Sequence, residues 1–280
     1  MAVQAAVTQF RKETVAAFRQ ERSLLSLTAT KEFMTKGLTA TFLVAGNTTN
    51  DIAVTRGQNG DIPYGSPSNT QVSATLVEYH VPEALTGFDI FASQGEQTVE
   101  MRRDVVAGIN RKMDLVILAE LANATQDLAS GGTLDISTIA IAKAKLGQNH
   151  VPTEEVDNMF GILSPGAYGY LEQTAEFTSG DYVEMKPYNG PVRKFFRWAG
   201  VNWITSSLVD GLGTSAEYLY IFHRRALGFA VNAGEEMIDA DFNREQQRSW
   251  ALASVYMAAK ILQNTGIIKI THDSSAIATT

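Results

Sequence analysis

Histidine is the residue type in this chain with the widest choice of chemistry, because it binds metals and transfers protons near neutral pH. The four histidines, His80, His150, His223 and His272, are far apart and form neither an HxxxH nor an HxH pair. Zinc sites take ligands at such short spacings. The sequence therefore predicts strand-end or surface histidines rather than a zinc centre.

A second pattern resembles a calcium-binding loop and fails on the residues that such a loop requires. Asp239, Asp241 and Asn243 have the opening spacing of the loop. Its sixth position, where glycine makes the sharp turn, is Arg244, and its twelfth position, where glutamate binds the ion, is Trp250. The sequence therefore predicts a solvated acidic segment here instead of a metal site.

Nucleophile and nucleotide motifs are also missing from the sequence. Ser164 lies in GILSPG rather than in a GxSxG turn, and the proline after it is typical of the first helical position. The chain has neither a P-loop nor a GxGxxG motif. It has no cysteine, which excludes thiol nucleophiles, cysteine-bound metals and disulfides. No active site and no cofactor are predicted.

The composition is that of a folded protein with an uneven charge distribution. Of the 280 residues, 45% are hydrophobic and 19% are charged, and no apolar run approaches the ~18 residues of a membrane span. The net charge of −7 argues against nucleic-acid binding by bulk charge. Residues 1–46 hold six basic and three acidic side chains, a local charge of +3, which leaves −10 for the rest. Such an arm suggests contact with another subunit or with nucleic acid, although a merely solvated arm fits the charge equally well.

The longest predicted element is a helix over residues 93–128. Ser93 and Glu96 form a capping box, and apolar residues then recur at helical spacing as far as Leu128. A helix of about 32 residues is about 48 Å long, whereas an average helix has about 11–12 residues. This length is typical of a helix that braces a larger structure, although a core helix of a large enzyme domain fits it equally well.

The segments before this helix are predicted to be unstable by themselves. Residues 1–46 are interpreted as an arm that becomes ordered on another surface. Residues 47–92 are predicted to form a long β-hairpin, with strands at 51–56 and 71–81 and an Asn-Gly turn signal between them. An isolated hairpin with few apolar residues is marginal in water, so this one is expected to lean on another chain.

The chain after the long helix is predicted to be mixed α/β. A second helix spans about residues 137–146, and a compact insert of short strands and one short helix begins at Val151-Pro152. Residues 235–248 are predicted to be a charged loop, residues 249–262 a strand or a helix, and residues 273–280 a frayed tail.

Two C-terminal stretches, together with the order of the predicted elements, resemble a known protein family. They are FHRRALGFAV at 222–231 and RSWALASVYMAAKILQNTGIIKIT at 248–271. With the elements in this order, the chain resembles the major capsid proteins of tailed bacteriophages. The resemblance implies an α+β fold of the Hong Kong 97 type, in which an arm and an extended hairpin, the E-loop, precede a long spine helix. The implied parts are an N-terminal arm at 1–46, the E-loop at 47–92, a peripheral domain with the spine helix at 93–151, an axial domain at 152–232 and return segments of the peripheral domain at 233–280.

This resemblance implies a structural function in a virion. Proteins of the family assemble as pentamers and hexamers into the icosahedral head that encloses double-stranded DNA, and assembly takes place in the bacterial cytoplasm. The sequence shows no additional N-terminal domain, which implies a separate scaffolding protein besides a portal, with a decoration protein as a further partner. Packaged DNA is expected to be contacted without sequence readout. Neither enzymatic activity nor membrane contact is implied.

Nine residues are predicted at subunit interfaces and one at a hinge. The hairpin tip is expected to contact a neighbour's peripheral domain, and basic residues of the spine are expected to pair with acidic residues of neighbouring hairpins. Arg224 and Arg225, which follow His223, are expected to form ion pairs at an interface, with phosphate binding as the alternative. Gly108 is expected to let the spine bend. The interface residues are Arg56, Asp61 and Tyr64 of the tip, Arg102, Arg103, Arg111 and Lys112 of the spine, and Arg224 and Arg225.

Two alternatives stay open on sequence grounds. An encapsulin is a cellular compartment of the same fold that encloses an enzyme cargo instead of nucleic acid. A soluble α/β enzyme with an unrecognised site is a different class, and it would be an unassembled monomer whose melting temperature responds to a ligand. Electron microscopy of the expressed protein separates the shell proteins from the enzyme, and particle content separates the two shells.

Overall fold

The computed structural model places helices and strands along most of the chain. It describes residues 22–34, 36–46, 55–62, 64, 68–92, 97–129, 132–174, 195–232 and 237–277. The helices are α1 (Gly87–Ala92), α2 (Gln97–Leu121), α3 (Ile136–Gln148) and α4 (Pro165–Glu172). The strands are β1 (Thr30–Met34), β2 (Thr39–Val44), β3 (Thr70–Thr75), β4 (Val77–Thr86), β5 (Asp127–Ala129), β6 (Met159–Leu163), β7 (Phe195–Trp198), β8 (Val201–Thr205), β9 (Glu217–His223), β10 (Leu227–Asn232), β11 (Met237–Asn243), β12 (Arg248–Ile261) and β13 (Ile267–His272).

Two sheets organise these elements. The first sheet has the order β1-β10-β12-β11, with β4 on the other edge of β12, and it carries α2. The second sheet has the order β5-β13-β9-β6-β8-β7 and packs against α3 and α4. The sheets divide the chain differently from the ranges implied by the resemblance. The implied axial range, 152–232, includes β10, which lies in the first sheet with α2. The implied peripheral range, 93–151, includes β5 and α3, which belong with the second sheet.

The first sheet buries one face against α2. Ala253, Val255 and Met257 alternate along β12 and are buried in one cluster with Ile117 of α2. The sequence leaves residues 249–262 open between strand and helix, and the structure contains the strand. Its backbone is hydrogen-bonded to β4 on one edge and to β10 and β11 on the other.

The long helix is present but shorter than predicted. It has 25 residues and ends at Leu121, and Leu128 lies in β5. Beyond the helix, the Asn264 side chain accepts a hydrogen bond from the Thr125 amide at 3.1 Å, which directs the chain into the second sheet. The apolar spacing continues past the helix end because Leu128 packs against the second sheet's core. The predicted capping box lies outside the described residues.

The base of the N-terminal arm packs against its own chain. Leu25 and Ala29 are completely buried, and β1 pairs in parallel with β10 over its whole length. The expectation that the arm becomes ordered only on another surface is therefore wrong for residues 22–34. Residues 1–21 lie outside the described part of the chain.

The E-loop hairpin begins earlier than predicted. Its strands are β2 and β3, whereas Thr55 and Arg56 are not in a strand and residues 51–54 lie outside the described part. The predicted second strand, 71–81, is interrupted at Leu76, where the alternation of the sequence changes phase. Strand β4 consequently belongs to the first sheet.

The hairpin also leans on its own chain at its base. Ala40, Phe42 and Ala74 form a small buried cluster with Ala230 of β10 and Ala258 of β12. These two alanines lie on the face of the first sheet that points away from α2, because their neighbours along each strand point toward the helix. The hairpin therefore projects from the side of the sheet opposite α2.

Two C-terminal segments are more ordered than predicted. Within the supposed loop 235–248, β11 forms an edge strand antiparallel to β12. Ile238 and Phe242 alternate with aspartates in β11, which is the period of a strand despite the high charge. The supposed frayed tail is anchored at Ser274, which is 1% exposed.

Local signals in the second sheet's region are confirmed. The Ser164 hydroxyl accepts a hydrogen bond from the Ala167 amide at 2.9 Å, and Pro165 occupies the first helical position of α4. Ala199 and Gly200 join β7 to β8 with φ angles of 53° and 73°. These are the left-handed angles of a two-residue hairpin turn.

Gly161→Ala is expected to destabilise the second sheet, since the added Cβ would lie 2.3 Å from two ring atoms of Trp203. Overpacking of a core costs about 1–3 kcal/mol. Gly169→Ala is the control, because nothing lies within 4 Å of its added Cβ and alanine gains about 0.8–1 kcal/mol in a helix. Urea unfolding of the unassembled chain measures both changes. An unchanged free energy of unfolding for G161A contradicts this account of the packing.

Candidate subunit interface

The second sheet contains a buried polar cluster around Glu217. Its carboxylate accepts hydrogen bonds from the Ser274 hydroxyl and, at 2.9 Å, from the Gly213 amide, and it lies 3.1 Å from His272 Nε2. Glu217, His272 and Ser274 are each at most 2% exposed. The carboxylate stands between serine and histidine, so the cluster lacks the order of a catalytic triad. It clamps the C-terminal segment onto the sheet.

The segment His223–Arg225 joins the second sheet to the first. Arg225 Nη2 lies 3.7 Å and His223 Nε2 lies 3.5 Å from the Glu155 carboxylate. Burial lowers the pKa of His223, and its Nδ1 accepts a hydrogen bond from the Arg225 amide at 3.2 Å. Arg224 Nε donates to the Ala29 carbonyl at 3.4 Å. Both arginines thus have partners within the chain, and their place at a subunit interface stays a prediction.

Two of the four histidines lie at strand ends, as predicted, and both of these are buried. His223 ends β9 and His272 ends β13, and they are 3% and 2% exposed. Among the described residues, no three histidine, aspartate or glutamate side chains are placed to hold a metal ion. No helix in the same part of the chain is both long and apolar enough to cross a membrane.

The basic residues predicted on the spine lie in different surroundings. Arg103 forms an ion pair of 2.9 Å with a glutamate one turn earlier. Lys112 Nζ lies 4.7 Å from the ring centroid of Tyr79 on β4. Arg102 and Arg111 are exposed on α2. Arg103 is exposed as well, and Lys112 is half-buried. All four stay candidates for contacts with a neighbour.

Gly108 lies where α2 and β4 approach each other. An added Cβ there would be 3.1 Å from Val81 Cγ1 and 3.4 Å from Cγ2, closer than ordinary van der Waals contact. Helix α2 is continuous through this position. The glycine therefore has a packing role, and its predicted role as a hinge stays a prediction.

The residues predicted at the hairpin tip are exposed. The Gly57 amide donates to the Asp61 carbonyl at 2.8 Å, and Gly60 has a φ of +84°, so the tip closes in a tight turn. Arg56 and Asp61 are exposed beside it. Tyr64 is 93% exposed, an unusually open position for an aromatic side chain.

The face of the first sheet opposite α2 carries an apolar patch against which no other described helix or sheet packs. Trp250, Leu252 and Tyr256 of β12 point to this face, as do Pro82 and Ala84 of β4. The register places Trp250 beside Ala84 and Leu252 beside Pro82. These five residues, the open face, are exposed or half-buried. Trp250, Leu252, Pro82 and Ala84 adjoin one another, and the hydrogen-bonded Ser254 and His80 separate them from Tyr256. An accessible apolar cluster of this kind is a candidate interaction site.

Comparison with known proteins assigns the chain to a family. A family model described as phage capsid protein matches residues 2–274. The chain belongs to this family. It is accordingly a structural component of a virion capsid and not an enzyme. No curated protein sequence matches it significantly.

Solved structures show the fold of this capsid protein. The structure of Mycobacterium phage Che8 has a TM-score of 0.75 at 15% identity and covers 96% of this chain and 98% of its own. The capsid structure of the cyanophage P-SCSP1u has a TM-score of 0.71 at 12% sequence identity, and the match covers 96% of this chain and 93% of the cyanophage chain. The capsid of Ralstonia phage GP4 has a TM-score of 0.71 at 10% sequence identity, and the match covers 96% of each chain. The α+β fold of the Hong Kong 97 type and the identification as a major capsid protein are confirmed.

Sequence reasoning finds the exposed charges but misses the open face. Alternation separates the two faces of a strand and does not say which of them is covered, so nothing in the pattern marks Trp250 or Leu252 as accessible. It also misses Asp114, which is 1% exposed in the middle of α2. A lone aspartate on a helix looks like a surface charge unless its partners are known.

The stability of the capsid protein is expected to fall with pH below about 4.5, and Glu217 contributes to this fall. Burial raises the pKa of its carboxyl, but hydrogen bonds from His272, Ser274 and Gly213 outweigh burial and hold the pKa below the usual 4.5. A depressed pKa contributes stability above the unfolded-state value that is lost as pH falls through the folded-state value.

Glu217→Gln tests this contribution. The variant is expected to be less stable at pH 7 by about 1–3 kcal/mol, since a buried acceptor becomes a donor, and to depend less steeply on pH below 4.5. Glu245→Gln, on the exposed turn before β12, is the control. Urea unfolding at a series of pH values measures the slopes. A slope for E217Q as steep as that of the wild type contradicts the assignment.

Proposed function

We propose that this major capsid protein assembles as pentamers and hexamers into the icosahedral head of a tailed phage, around double-stranded DNA. The family match over residues 2–274 carries the proposal, since a closed shell is built from many copies of such a protein. In this arrangement the first sheet and α2 form the peripheral domain. The second sheet, with α3 and α4, forms the axial domain around the capsomer axis.

The E-loop hairpin of each subunit lies, in this proposal, on the open face of a neighbour. The hairpin leaves its own sheet on the side opposite α2, and the open face of every other copy is on that same side. Covering Trp250, Leu252 and Tyr256 removes apolar area from water at about 25 cal/mol per Å². The exposed Tyr64 at the tip supplies an aromatic partner for this surface.

Charge complementarity sets the register of this contact. Asp239 and Asp241 of β11 stand directly opposite Leu252 and Trp250 in the ladder, so they border the open face with negative charge. The hairpin tip carries Arg56 and Asp61, and in this proposal the positive Arg56 is the one that faces the two aspartates. Opposite charges at the rim of an apolar contact fix its orientation more than they strengthen it.

The other partners follow from assembly of a DNA-filled head. A separate scaffolding protein and a portal are proposed, with a decoration protein as a further partner. The basic residues of the arm lie near packaged DNA and neutralise phosphates without reading sequence. They are Arg11, Lys12, Arg19 and Arg22.

Deletion of residues 57–66 is expected to leave a soluble chain that forms no shells, because the tip contact is lost while the hairpin base stays packed on the first sheet. Size-exclusion chromatography and electron microscopy measure the outcome. Shells at wild-type yield contradict the proposed strap. Shells of the wild-type protein that contain enzyme cargo and no DNA contradict the phage head itself.

Cysteine crosslinking tests where the tip lies. Because the chain has no cysteine, Tyr64→Cys combined with Leu252→Cys gives one reactive pair. A short bis-maleimide linker is expected to join different subunits in assembled particles, as measured by denaturing electrophoresis. Tyr64→Cys with Leu115→Cys is the control, because Leu115 is exposed on α2, on the other side of the sheet. Equal crosslinking of both pairs contradicts the assigned face.

Gly108→Ala separates the hinge from the packing role. In the single variant, contact with Val81 opposes folding, by about 1–3 kcal/mol for overpacking. The higher helix propensity of alanine offsets about 0.8–1 kcal/mol of this cost. Adding Val81→Ala removes that contact. If Gly108 is also a hinge, the double variant still expands poorly when proheads mature, as measured by the particle diameter. Normal expansion of the double variant leaves packing as the only role of this glycine.

A further inference from the structure

One buried carboxylate in the middle of α2 holds the base of the N-terminal arm. Asp114 Oδ1 accepts hydrogen bonds from the Ser23 hydroxyl at 2.6 Å and from the Leu25 amide at 3.1 Å. Its Oδ2 accepts from the Leu24 amide at 3.3 Å. Three successive residues thus converge on a single side chain that is 1% exposed.

The segment that Asp114 holds is itself folded. Ser23 Oγ accepts a hydrogen bond from the Ser26 amide at 3.3 Å, and the Thr28 amide donates to the Leu25 carbonyl at 2.9 Å. Residues 25–27 form a 3₁₀ turn, and Leu25 is completely buried in the main core. Asp114 therefore acts on this turn as a capping side chain acts on a helix start, but from a distant part of the chain.

We infer that Asp114 is the positioning residue of the N-terminal arm. It fixes the arm base, Ser23–Leu25, at one point on α2, because all three residues donate hydrogen bonds to its carboxylate. The arm is thereby tied to the spine helix, so a displacement of α2 carries the arm base with it. The inference goes beyond the proposed function and holds for an unassembled chain, since every contact lies within one subunit.

The experiment compares two isosteric changes on the same helix. Asp114→Asn replaces one acceptor oxygen with an NH₂ donor that opposes the donors of the arm. Asp104→Asn makes the same change at an exposed position. Since the chain has no cysteine, Arg22→Cys and Arg111→Cys carry two spin labels in each background. Pulsed electron paramagnetic resonance then measures the distance distribution between the arm base and α2.

The expected distribution is narrow in the otherwise unchanged chain and in D104N, and broad in D114N. In chains without the cysteines, trypsin cleavage after Arg22 is expected to accelerate about 10-fold or more in D114N, in line with the loss of hydrogen bonds to a charged group. Ser23→Ala removes one donor and is expected to accelerate this cleavage by a smaller factor, without changing α2.

Two results overturn the inference. One is a D114N chain that keeps the narrow distribution and the wild-type rate of cleavage after Arg22. The other is a D114N chain whose cleavage accelerates equally at sites throughout the sequence, because this reports global unfolding instead of release of the arm. If D114N does not fold, Ser23→Ala decides: unchanged cleavage after Arg22 then overturns the inference.

Discussion

The packing of α2 on β12 is the interaction on which the rest of the structure depends. Ile109 and Ile117 of the helix and Ala253 and Val255 of the strand are all fully buried, and alanine at the crossing allows the helix to lie close to the sheet. Strand β12 also bonds β4 on one edge and β10 and β11 on the other. Loss of this contact would expose the helix-facing side of the first sheet and leave the helix without a support.

Because one helix covers only one face, the same packing leaves the opposite face for other uses. The chain's own hairpin covers one end of that face through Phe42 and Ala74, and the open face continues beside it. The arm base is held on the helix side by Asp114. The hairpin base and the arm base thus lie on opposite sides of the first sheet and do not compete for one surface.

Local signals predicted local structure well. Ser164 caps α4 as its sequence neighbours indicate. The prediction of one strand over residues 71–81 was wrong, because β3 and β4 are separate strands on either side of Leu76. Errors arose where a distant residue decides the conformation. Helix α2 ends at Leu121, and just beyond it the Thr125 amide donates a hydrogen bond to the Asn264 side chain, 139 residues away in the sequence. Strand β11 looked like a loop because its charges concealed its alternation.

The candidate interface was predictable only in part for the same reason. Exposed tip residues such as Tyr64 follow from their place in a turn-rich segment, whereas the open face depends on what the fold leaves uncovered. Nothing in the sequence marks Asp114 as a buried residue, since its three partners lie about 90 residues away. These partners are a hydroxyl and two backbone amides, so no oppositely charged residue points to the contact. Spatial proximity, and not residue type, gives these positions their roles.

The parallel pairing of β1 with β10 has a consequence for synthesis. Thr30 is bonded beside Gly228 and Met34 beside Asn232, so the strand nearest the N-terminus waits for a partner made about 200 residues later. Closing so long a loop is entropically costly and slow compared with local folding. The first sheet on a ribosome is therefore incomplete until β10 and β12 have both been translated.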